Sequence, residues 1–152
     1  MENGKQLAAE YLRSNKIGVL CTVTPQSTPH ATLVYYLYED EFMMYFVTKE
    51  QTAKARNIEA NPNVAIVVGI IDEPVTAQCY GKAQRISGEG VIEKTNRILS
   101  RAHEGNYHWP PILDIKAGDP AVYQIEINRV QFYDEREVDL PENNYVEFEV
   151  QR

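Results

Sequence analysis

The sequence is short of positive charge, of cysteine and of long apolar runs. Its 152 residues hold 15 Lys and Arg against 22 Asp and Glu, a formal net charge of −7. No dense Lys/Arg cluster is visible, so the basic patch of a nucleic-acid-binding protein is not expected. No apolar run approaches the roughly 20 residues of a membrane helix, and residues 1–15 lack the apolar region of a signal peptide. We therefore expect a cytoplasmic protein that binds neither nucleic acid nor membrane.

The sequence contains two cysteines, Cys21 and Cys79, which lie in separate apolar runs. Neither belongs to a CxxC pair or to a Cys/His spacing typical of a metal site. The histidines His30, His103 and His108 share no metal-binding spacing either. We expect two buried free thiols and no bound metal.

The alternation of apolar segments with turn residues predicts one mainly β domain over residues 1–152. Consecutive antiparallel strands with few helices favour a closed or nearly closed β-barrel of about six to seven strands, with flanking helices. Runs rich in β-branched and aromatic residues predict strands at 17–24, 30–38, 42–48, 63–71, 75–86 and 121–134. Apolar spacing and helix-favouring composition predict helices at 5–14, 49–62 and about 91–102.

Some segments carry more specific expectations. The strand at 63–71 is mostly apolar, with a character that predicts burial of both its faces. Gly81 predicts a bend or bulge in the strand at 75–86. Residues 103–119 are expected to form an irregular loop. Residues 135–152 are expected to form either an edge strand at about 145–150 or a loose tail.

The segment Thr48-Lys49-Glu50-Gln51 matches the Ser/Thr-x-x-Glu/Gln capping box at a helix start. Free amides and the helix dipole make such a start a site for anions. Thr52 adds a hydroxyl, and Lys49 and Lys54 add full charges. The pattern predicts a site for an anion such as a phosphate monoester. An ordinary capped surface helix with solvated lysines remains the alternative on spacing alone.

The order of short motifs resembles the pyridoxamine 5′-phosphate oxidase-like family, the flavin-binding split barrels. The resemblance is strong over residues 17–86 and looser to about 134. The motifs that carry it are Gly18-Val19-Leu20-Cys21-Thr22, Pro29-His30 to Val34, Phe46-Val47-Thr48-Lys49, Lys54, Asn57-Ile58 and Asn61-Pro62-Asn63-Val64.

The resemblance implies an antiparallel split barrel that binds FMN, with two cofactor sites at the interface of a homodimer. Thr48, Lys49, Thr52 and Lys54 match positions that hold the phosphate, and Val47 belongs to the same motif. Thr32, Leu33 and Val34 match the strand whose backbone runs beside the isoalloxazine ring. Gln78 resembles a family glutamine that reaches the ring or the ribityl chain.

The sequence leaves two possible roles each for Trp109 and His30. Trp109, the single tryptophan, either caps the flavin of the partner subunit or packs over the mouth of its own barrel. His30 either contacts the flavin or a substrate, or lies at the surface or in a dimer contact. The tyrosines Tyr35, Tyr36 and Tyr38 are expected to be barrel or interface residues rather than acid–base catalysts.

A flavin supplies its own redox chemistry, so the absence of a Ser/His/Asp or paired-carboxylate signature does not argue against a flavoenzyme. The expected function is that of an FMN-dependent oxidoreductase acting on a small molecule. Residues 144–150 are acidic and lack the Trp/Arg motif of true pyridoxamine phosphate oxidases, which disfavours a pyridoxal-type substrate. The flavin-side arginine of those enzymes is also missing, and Thr32 lies near its place. Two alternatives remain: a reductase that uses the deazaflavin F420, and a module that stores or senses flavin or haem without turnover.

Overall fold

The computed structural model describes residues 2–69, 72–104, 116–136, 140 and 142–152. Within these residues no helix is both long and apolar enough to cross a membrane. The α-helices are α1 (Glu2–Ser14), α2 (Ala53–Ala60) and α3 (Glu89–His103). The strands are β1 (Ile17–Val23), β2 (Pro29–Glu39), β3 (Met43–Lys49), β4 (Asn63–Gly69), β5 (Val75–Arg85), β6 (Pro120–Asp134) and β7 (Tyr145–Glu149).

The strands form one antiparallel sheet that closes on itself. Their order is β3-β2-β1-β4-β5-β6-β7, and an additional pairing of β3 with β6 closes the first six strands into a barrel. Strand β7 pairs with β6 outside this closure. The predicted mainly β fold, an antiparallel barrel of six to seven strands with flanking helices, is therefore confirmed.

The barrel interior is filled by the inward residues of alternating strands. In β3, for example, Met44, Phe46 and Thr48 are buried while the residues between them are half-buried. The rings of Phe46 and Tyr123 stack with their centroids 5.4 Å apart. This period-two pattern is what β-branched and aromatic runs produce when one face meets a core.

Helix α1 packs against the barrel through a stripe that contains Tyr11 and Leu12. The hydroxyl of Tyr36 donates a hydrogen bond to the Leu12 carbonyl at 2.8 Å. Burial raises the pKa of Tyr36 above its ordinary range and that of Tyr38 to about 12. Both phenols therefore stay protonated and structural, as predicted for these two positions.

Gly81 marks a bulge, as its place in the sequence predicted. The register between β5 and β6 shifts between Tyr80 and Gly81. A Cβ atom at position 81 would lie 2.2 Å from the carbonyl oxygen of Glu126. Only glycine allows the two backbones to approach this closely.

The predicted start of the central helix is wrong by four residues. Helix α2 begins at Ala53 with Thr52 as its N-cap, and no side-chain hydrogen bond caps it. Thr48 instead ends the buried face of β3. The amides of Glu50 and Gln51 donate to main-chain carbonyls of Asp119 and Ala117, at 3.0 and 2.9 Å. These tertiary hydrogen bonds hold residues 50–51 in a turn, so the capping box does not form.

Other differences lie at the edges of elements. Helices α1 and α3 each begin before their predicted starts, at Glu2 and Glu89. Strand β4 does not bury both faces within one chain, because its outward residues, among them Val67, are half-buried or exposed. Of the predicted loop at 103–119, residues 105–115 lie outside the described part of the chain.

Candidate functional site

Strands β2 and β3 separate beyond their last paired residues. The ladder between them ends at Tyr36 and Phe46. The same register continued by two residues would set Val34 opposite Thr48, but no pairing forms there. Strand β3 meanwhile stays paired with β6 as far as Lys49. Residues 32–34 and the end of β3 thus flank one split in the barrel wall.

Three predicted phosphate residues meet at the end of β3. The hydroxyl oxygens of Thr48 and Thr52 lie 3.0 Å apart, and Lys54 Nζ lies 3.4 Å from Thr48 Oγ1. The Thr52 hydroxyl donates to the Lys49 carbonyl at 2.9 Å. Each hydroxyl has one proton, so donation runs from Lys54 to Thr48, then to Thr52 and to that carbonyl. Two ammonium protons of Lys54 are left without an acceptor among the described residues.

The first turn of α2 adds unpaired backbone donors to this cluster. The amide of Arg56 donates to the Thr52 carbonyl and is the first helical bond of α2. The amides of residues 53–55 precede it and have no intrahelical acceptor. Because the Thr52 side chain does not cap them either, they remain available to an anion, and the helix dipole favours negative charge at this end.

Lys54 is the charge that defines the chemistry of the cluster. Desolvation lowers the pKa of its ammonium group from the ordinary value of 10.5. Within the described residues no carboxylate lies at ion-pair distance from it. A partly buried cation without a counter-ion is costly, and an anionic ligand would remove that cost.

Other predicted residues lie at the rim rather than inside the cluster. Val47 and Lys49 alternate with Thr48, so they face the outer side of β3. Val47 pairs with Val122 of β6. A groove of about 540 Å³ runs along that part of β6, with Val122 and the start of α3 in its wall.

A buried hydrogen bond fixes α2 against the barrel. Asn57 Nδ2 donates to Thr22 Oγ1 at 3.0 Å, and both side chains are buried. Asn57 was noted in the sequence only as part of a motif. Its position explains why an asparagine is useful there, since the bond sets the distance between the start of α2 and β1.

His30 lies next to this anchor, because it pairs with Thr22 across β1 and β2. Its Nδ1 atom is buried and has no hydrogen-bond partner in the described part of the structure. Buried polar atoms are normally paired. His30 is therefore a candidate ligand contact at the same end of the barrel.

The outer face of the sheet carries one continuous row of side chains. Neighbouring strands contribute the row in register from β2 through β1, β4, β5 and β6 to β7. Its members are Leu33, Val19, Val67, Gln78, Gln131 and Glu147. Leu33 is 69% exposed and Val19 is 36% exposed. We call this set the outer row; its β2 end is apolar and its β7 end is polar.

Gln78, which the resemblance assigned to the ring or the ribityl chain, lies away from residues 32–34 within one chain. It lies three strands from Leu33 along the outer row, and three strand spacings amount to about 14 Å. The outward side chains of a closed barrel also diverge. A ligand beside Leu33 would meet Gln78 only by spanning this distance or by contacting a second subunit.

A polar network at the β7 end of the outer row was missed from the sequence. Tyr80 Oη lies 3.0 Å from Gln131 Oε1 and 3.3 Å from Gln78 Oε1. Glu147 accepts from Gln131 and from Tyr145, and the guanidinium of Arg129 lies over the Tyr80 ring. The only signal available was the alternation of polar residues in two strands, whose register cannot be read from one strand alone.

A larger groove lies elsewhere. It measures about 850 Å³ and is lined by Arg13, Arg97 and Arg101 between α1 and α3. The first two arginines bond to carboxylates and the third to main-chain carbonyls. Because these charges are already satisfied within the protein, the groove is a weaker candidate for an anion than the Lys54 cluster.

The remaining predicted positions are the cysteines, the expected absence of a metal site, and Trp109. Cys79 is buried, which raises its pKa to about 12, and both cysteines are free. In the described residues no three His, Cys, Asp or Glu side chains come together as a metal site. Trp109 lies outside the described residues.

The sequence was compared with known families. The family model described as pyridoxamine 5′-phosphate oxidase matches residues 5–134. The chain belongs to this family. The resemblance found in the motifs is thereby confirmed to about residue 134, and the match extends it N-terminally into α1. Thr48, Thr52, Lys54 and the separated ends of β2 and β3 all fall within the matched part of this pyridoxamine 5′-phosphate oxidase family member.

One curated relative matches part of the chain. General stress protein 26 of Bacillus subtilis (strain 168) is 37% identical over 65 residues, which is 43% of this chain and 45% of that protein. The alignment therefore spans less than half the length of that relative.

Solved structures show the same fold. An F420 reductase superposes with a TM-score of 0.64 at 24% identity, covering 80% of this chain and 93% of that one. A heme binding protein from Mycobacterium smegmatis superposes with a TM-score of 0.66 at 19% identity, covering 93% of this chain and 57% of that one. At these identities the likeness concerns the fold alone.

Proposed function

We propose that the protein binds FMN, with the phosphate held at the junction between β3 and α2. Thr48, Thr52 and Lys54 would contact the phosphate oxygens, together with the amides of residues 53–55. The observation that carries this proposal is Lys54, a partly desolvated cation with no carboxylate within reach in the described residues. A phosphate monoester supplies the missing negative charge and accepts several hydrogen bonds at once.

The rest of the flavin would lie along the split between β2 and β3. Residues 32–34 pair with β1 on one side and have no partner in β3 on the other, and a free strand edge of this kind can orient the polar edge of a ring. His30 stands at the same end of β2 with an unpaired Nδ1. These residues bind and orient the cofactor and need not act as acids or bases.

The activity that fits this site best is a flavin-dependent oxidoreduction of a small molecule. When bound, FMN would supply the hydride or electron transfer, and the protein would supply position and electrostatics. The exposed Glu147 and Glu149 of β7 are in keeping with a substrate other than an anionic pyridoxal phosphate.

We also propose that the active form is a homodimer built on the apolar part of the outer row. Leu33, Val19 and Val67 form an apolar strip on an otherwise acidic protein. A second copy would cover this strip and, in a two-fold arrangement, would bring its own Gln78 toward the cofactor beside Leu33. Sedimentation at micromolar concentration tests this directly, and a monomer would count against a shared cofactor site.

F420 is the second candidate cofactor, because an F420 reductase shares this fold. F420 carries an anionic oligoglutamate tail, which calls for several cations along its path. Near the start of α2 the described cations are Lys49, Lys54 and Arg56, and Arg56 already donates to the Gln51 carbonyl. This charge supply suits one phosphate better than a long acidic tail. A module that holds flavin or haem without turnover remains the non-enzymatic alternative.

An absorption spectrum of the purified protein, followed by titration with FMN, F420 and hemin, tests the proposal. We expect a flavin spectrum, or uptake of added FMN in preference to the other two ligands. A colourless protein that takes up no FMN would overturn the proposal. Anaerobic mixing of the FMN-loaded protein with NADH or NADPH then separates an enzyme from a binding module, since an enzyme with either donor should bleach the flavin.

A further inference from the structure

Glu147 terminates a chain of hydrogen bonds on the outer face of the barrel. Its carboxylate accepts from Gln131 Nε2 at 3.3 Å and from the Tyr145 hydroxyl at 2.9 Å. Arg129 lies at ion-pair distance, with 3.6 Å between Nη1 and the carboxylate. These donors lower the pKa of Glu147, the hydrogen bond from Gln131 most of all. The carboxylate is therefore ionised near neutral pH and can only accept.

Because Glu147 can only accept, the donor and acceptor of each further hydrogen bond in this series are fixed. Because Glu147 accepts, the amide nitrogen of Gln131 must face it, and the Gln131 carbonyl oxygen then faces Tyr80. Tyr80 Oη lies 3.0 Å from that oxygen, so the single phenolic proton is donated to Gln131. The guanidinium of Arg129, 4.1 Å from the centre of the Tyr80 ring, holds the ring in this place.

The order of donors and acceptors along these hydrogen bonds determines which end of the Gln78 amide faces Tyr80. The side-chain oxygen of Gln78 lies 3.3 Å from Tyr80 Oη, but the phenolic proton is already used. The nitrogen and oxygen ends of an amide have the same shape, and their partners decide which end faces which group. With only lone pairs left on Tyr80, the stable arrangement has the Gln78 nitrogen donating to Tyr80. The Gln78 carbonyl oxygen is then turned outward.

We propose that Glu147, Gln131 and Tyr80 are positioning residues that make Gln78 a hydrogen-bond acceptor for a ring N–H of the bound cofactor. We call these three residues the Glu147 chain. The inference rests on the proposed FMN site and on the proposed homodimer, which would bring Gln78 to the ring of the partner subunit's cofactor, and it adds the polarity of the Gln78 contact. The oxidised isoalloxazine ring has a single ring N–H, at N3, so the contact can be probed by methylating that nitrogen.

The experiment compares the affinities of the protein for FMN and for 3-methyl-FMN. The wild-type protein is expected to prefer FMN about tenfold, as the loss of one hydrogen bond with a buried partner predicts. Gln78→Leu should remove the preference. Tyr80→Phe and Glu147→Gln should each reduce it to about threefold or less, because the Gln78 amide is then free to turn. Tyr133→Phe is the matched control, since the Tyr133 hydroxyl donates to Glu135 and bonds to none of the three residues of the Glu147 chain, and it should keep the preference.

Several outcomes separate this inference from the proposed function. Failure of the wild-type protein to bind FMN would overturn the proposed function itself. Binding of FMN without discrimination against 3-methyl-FMN, or a preference kept in both Tyr80→Phe and Glu147→Gln, would overturn the Glu147 chain alone. Unchanged affinity of the variants for 3-methyl-FMN shows that they are folded. The N3 proton of ¹⁵N-labelled FMN should also shift in the NMR spectrum between wild type and Tyr80→Phe, and an unmoved signal would contradict the chain.

Discussion

The hydroxyl oxygens of Thr48 and Thr52 lie 3.0 Å apart across the junction where β3 ends and α2 begins. One belongs to the buried face of a strand and the other is the N-cap of a helix. Lys54, in the first turn of α2, approaches the first of them. The end of β3, the N-cap and the first turn of α2 therefore bring two hydroxyl groups and one ammonium group together.

Replacement of Lys54 should separate phosphate recognition from ring recognition. Lys54→Ala removes a charge-assisted contact, so FMN affinity should fall about 10- to 100-fold. Riboflavin, which lacks the phosphate, should lose little. Isothermal titration with both ligands checks this, with Arg56→Ala as a control on the same helix. Equal losses for FMN and riboflavin would mean that Lys54 does not contact the phosphate.

Lys54 should make the ligand-free protein less stable than a variant with an uncharged side chain at this position. Its lowered pKa means that the unfolded chain binds the proton more tightly than the folded one. Stability conferred by this position therefore rises with pH, from the lowered pKa up to the ordinary value of 10.5. Lys54→Met should raise the melting temperature of the ligand-free protein at neutral pH, and the gain should shrink at alkaline pH. Thermal unfolding of both proteins across pH measures it; a gain independent of pH would argue against desolvation as the cause.

Dimer formation should depend on Leu33 in particular, and not on every exposed apolar side chain. Leu33→Arg places a charge on the apolar part of the outer row and is expected to give a monomer, with loss of FMN binding. Ile92→Arg is the matched control, because Ile92 is 70% exposed and Leu33 69%, yet Ile92 lies on α3. Sedimentation velocity distinguishes the two. A dimer that survives Leu33→Arg but not Ile92→Arg would move the interface to the helix.

Mixed dimers should reveal whether Gln78 serves the site of the partner subunit. Lys54→Ala and Gln78→Leu homodimers should each bind FMN weakly at both sites. If Gln78 crosses the interface, a mixed dimer of the two variants has one site with both defects and one intact site. FMN uptake by purified mixed dimers should then reach half the wild-type stoichiometry at wild-type affinity. If no tight site appears, each Gln78 contacts the cofactor of its own subunit.

The bulge at Gly81 should tolerate no side chain. Gly81→Ala puts a methyl group 2.2 Å from the Glu126 carbonyl oxygen and should cost about 3 kcal/mol of unfolding free energy. Gly90→Ala is the control, since a Cβ there meets no atom within 4 Å. The control should be neutral or stabilising by up to about 1 kcal/mol. Urea unfolding of both variants checks the contrast, and similar values for the two would mean that the bulge relaxes.

Much of the fold followed from local patterns in the sequence. Alternating apolar residues placed six strands within a few residues of their observed bounds, because a half-buried strand must repeat every second residue. Gly81 predicted the bulge, because a glycine inside a strand pattern often marks a close approach of two backbones. The order and spacing of the motifs indicated the family, and the family model confirmed it over residues 5–134.

Tertiary contacts decided what local patterns could not. The sequence Thr48–Gln51 matches a capping box. The amides of Glu50 and Gln51 nevertheless donate hydrogen bonds to the carbonyls of Asp119 and Ala117, so these residues do not begin the helix. These partners lie far along the chain, so no local pattern reports them. The Thr48–Lys54 cluster therefore exists at the predicted residues but is assembled from a strand end and a later helix start.

The sequence by itself determined the element types and the residues that can hold an anion, because both depend on side-chain chemistry over a few neighbouring positions. Only the tertiary structure decided which of those residues meet. Strand register placed Gln78 three strands from Leu33 and aligned Tyr80, Gln131 and Glu147 beside it. Register is set by packing across the whole barrel, and for that reason it could not be read from any one segment.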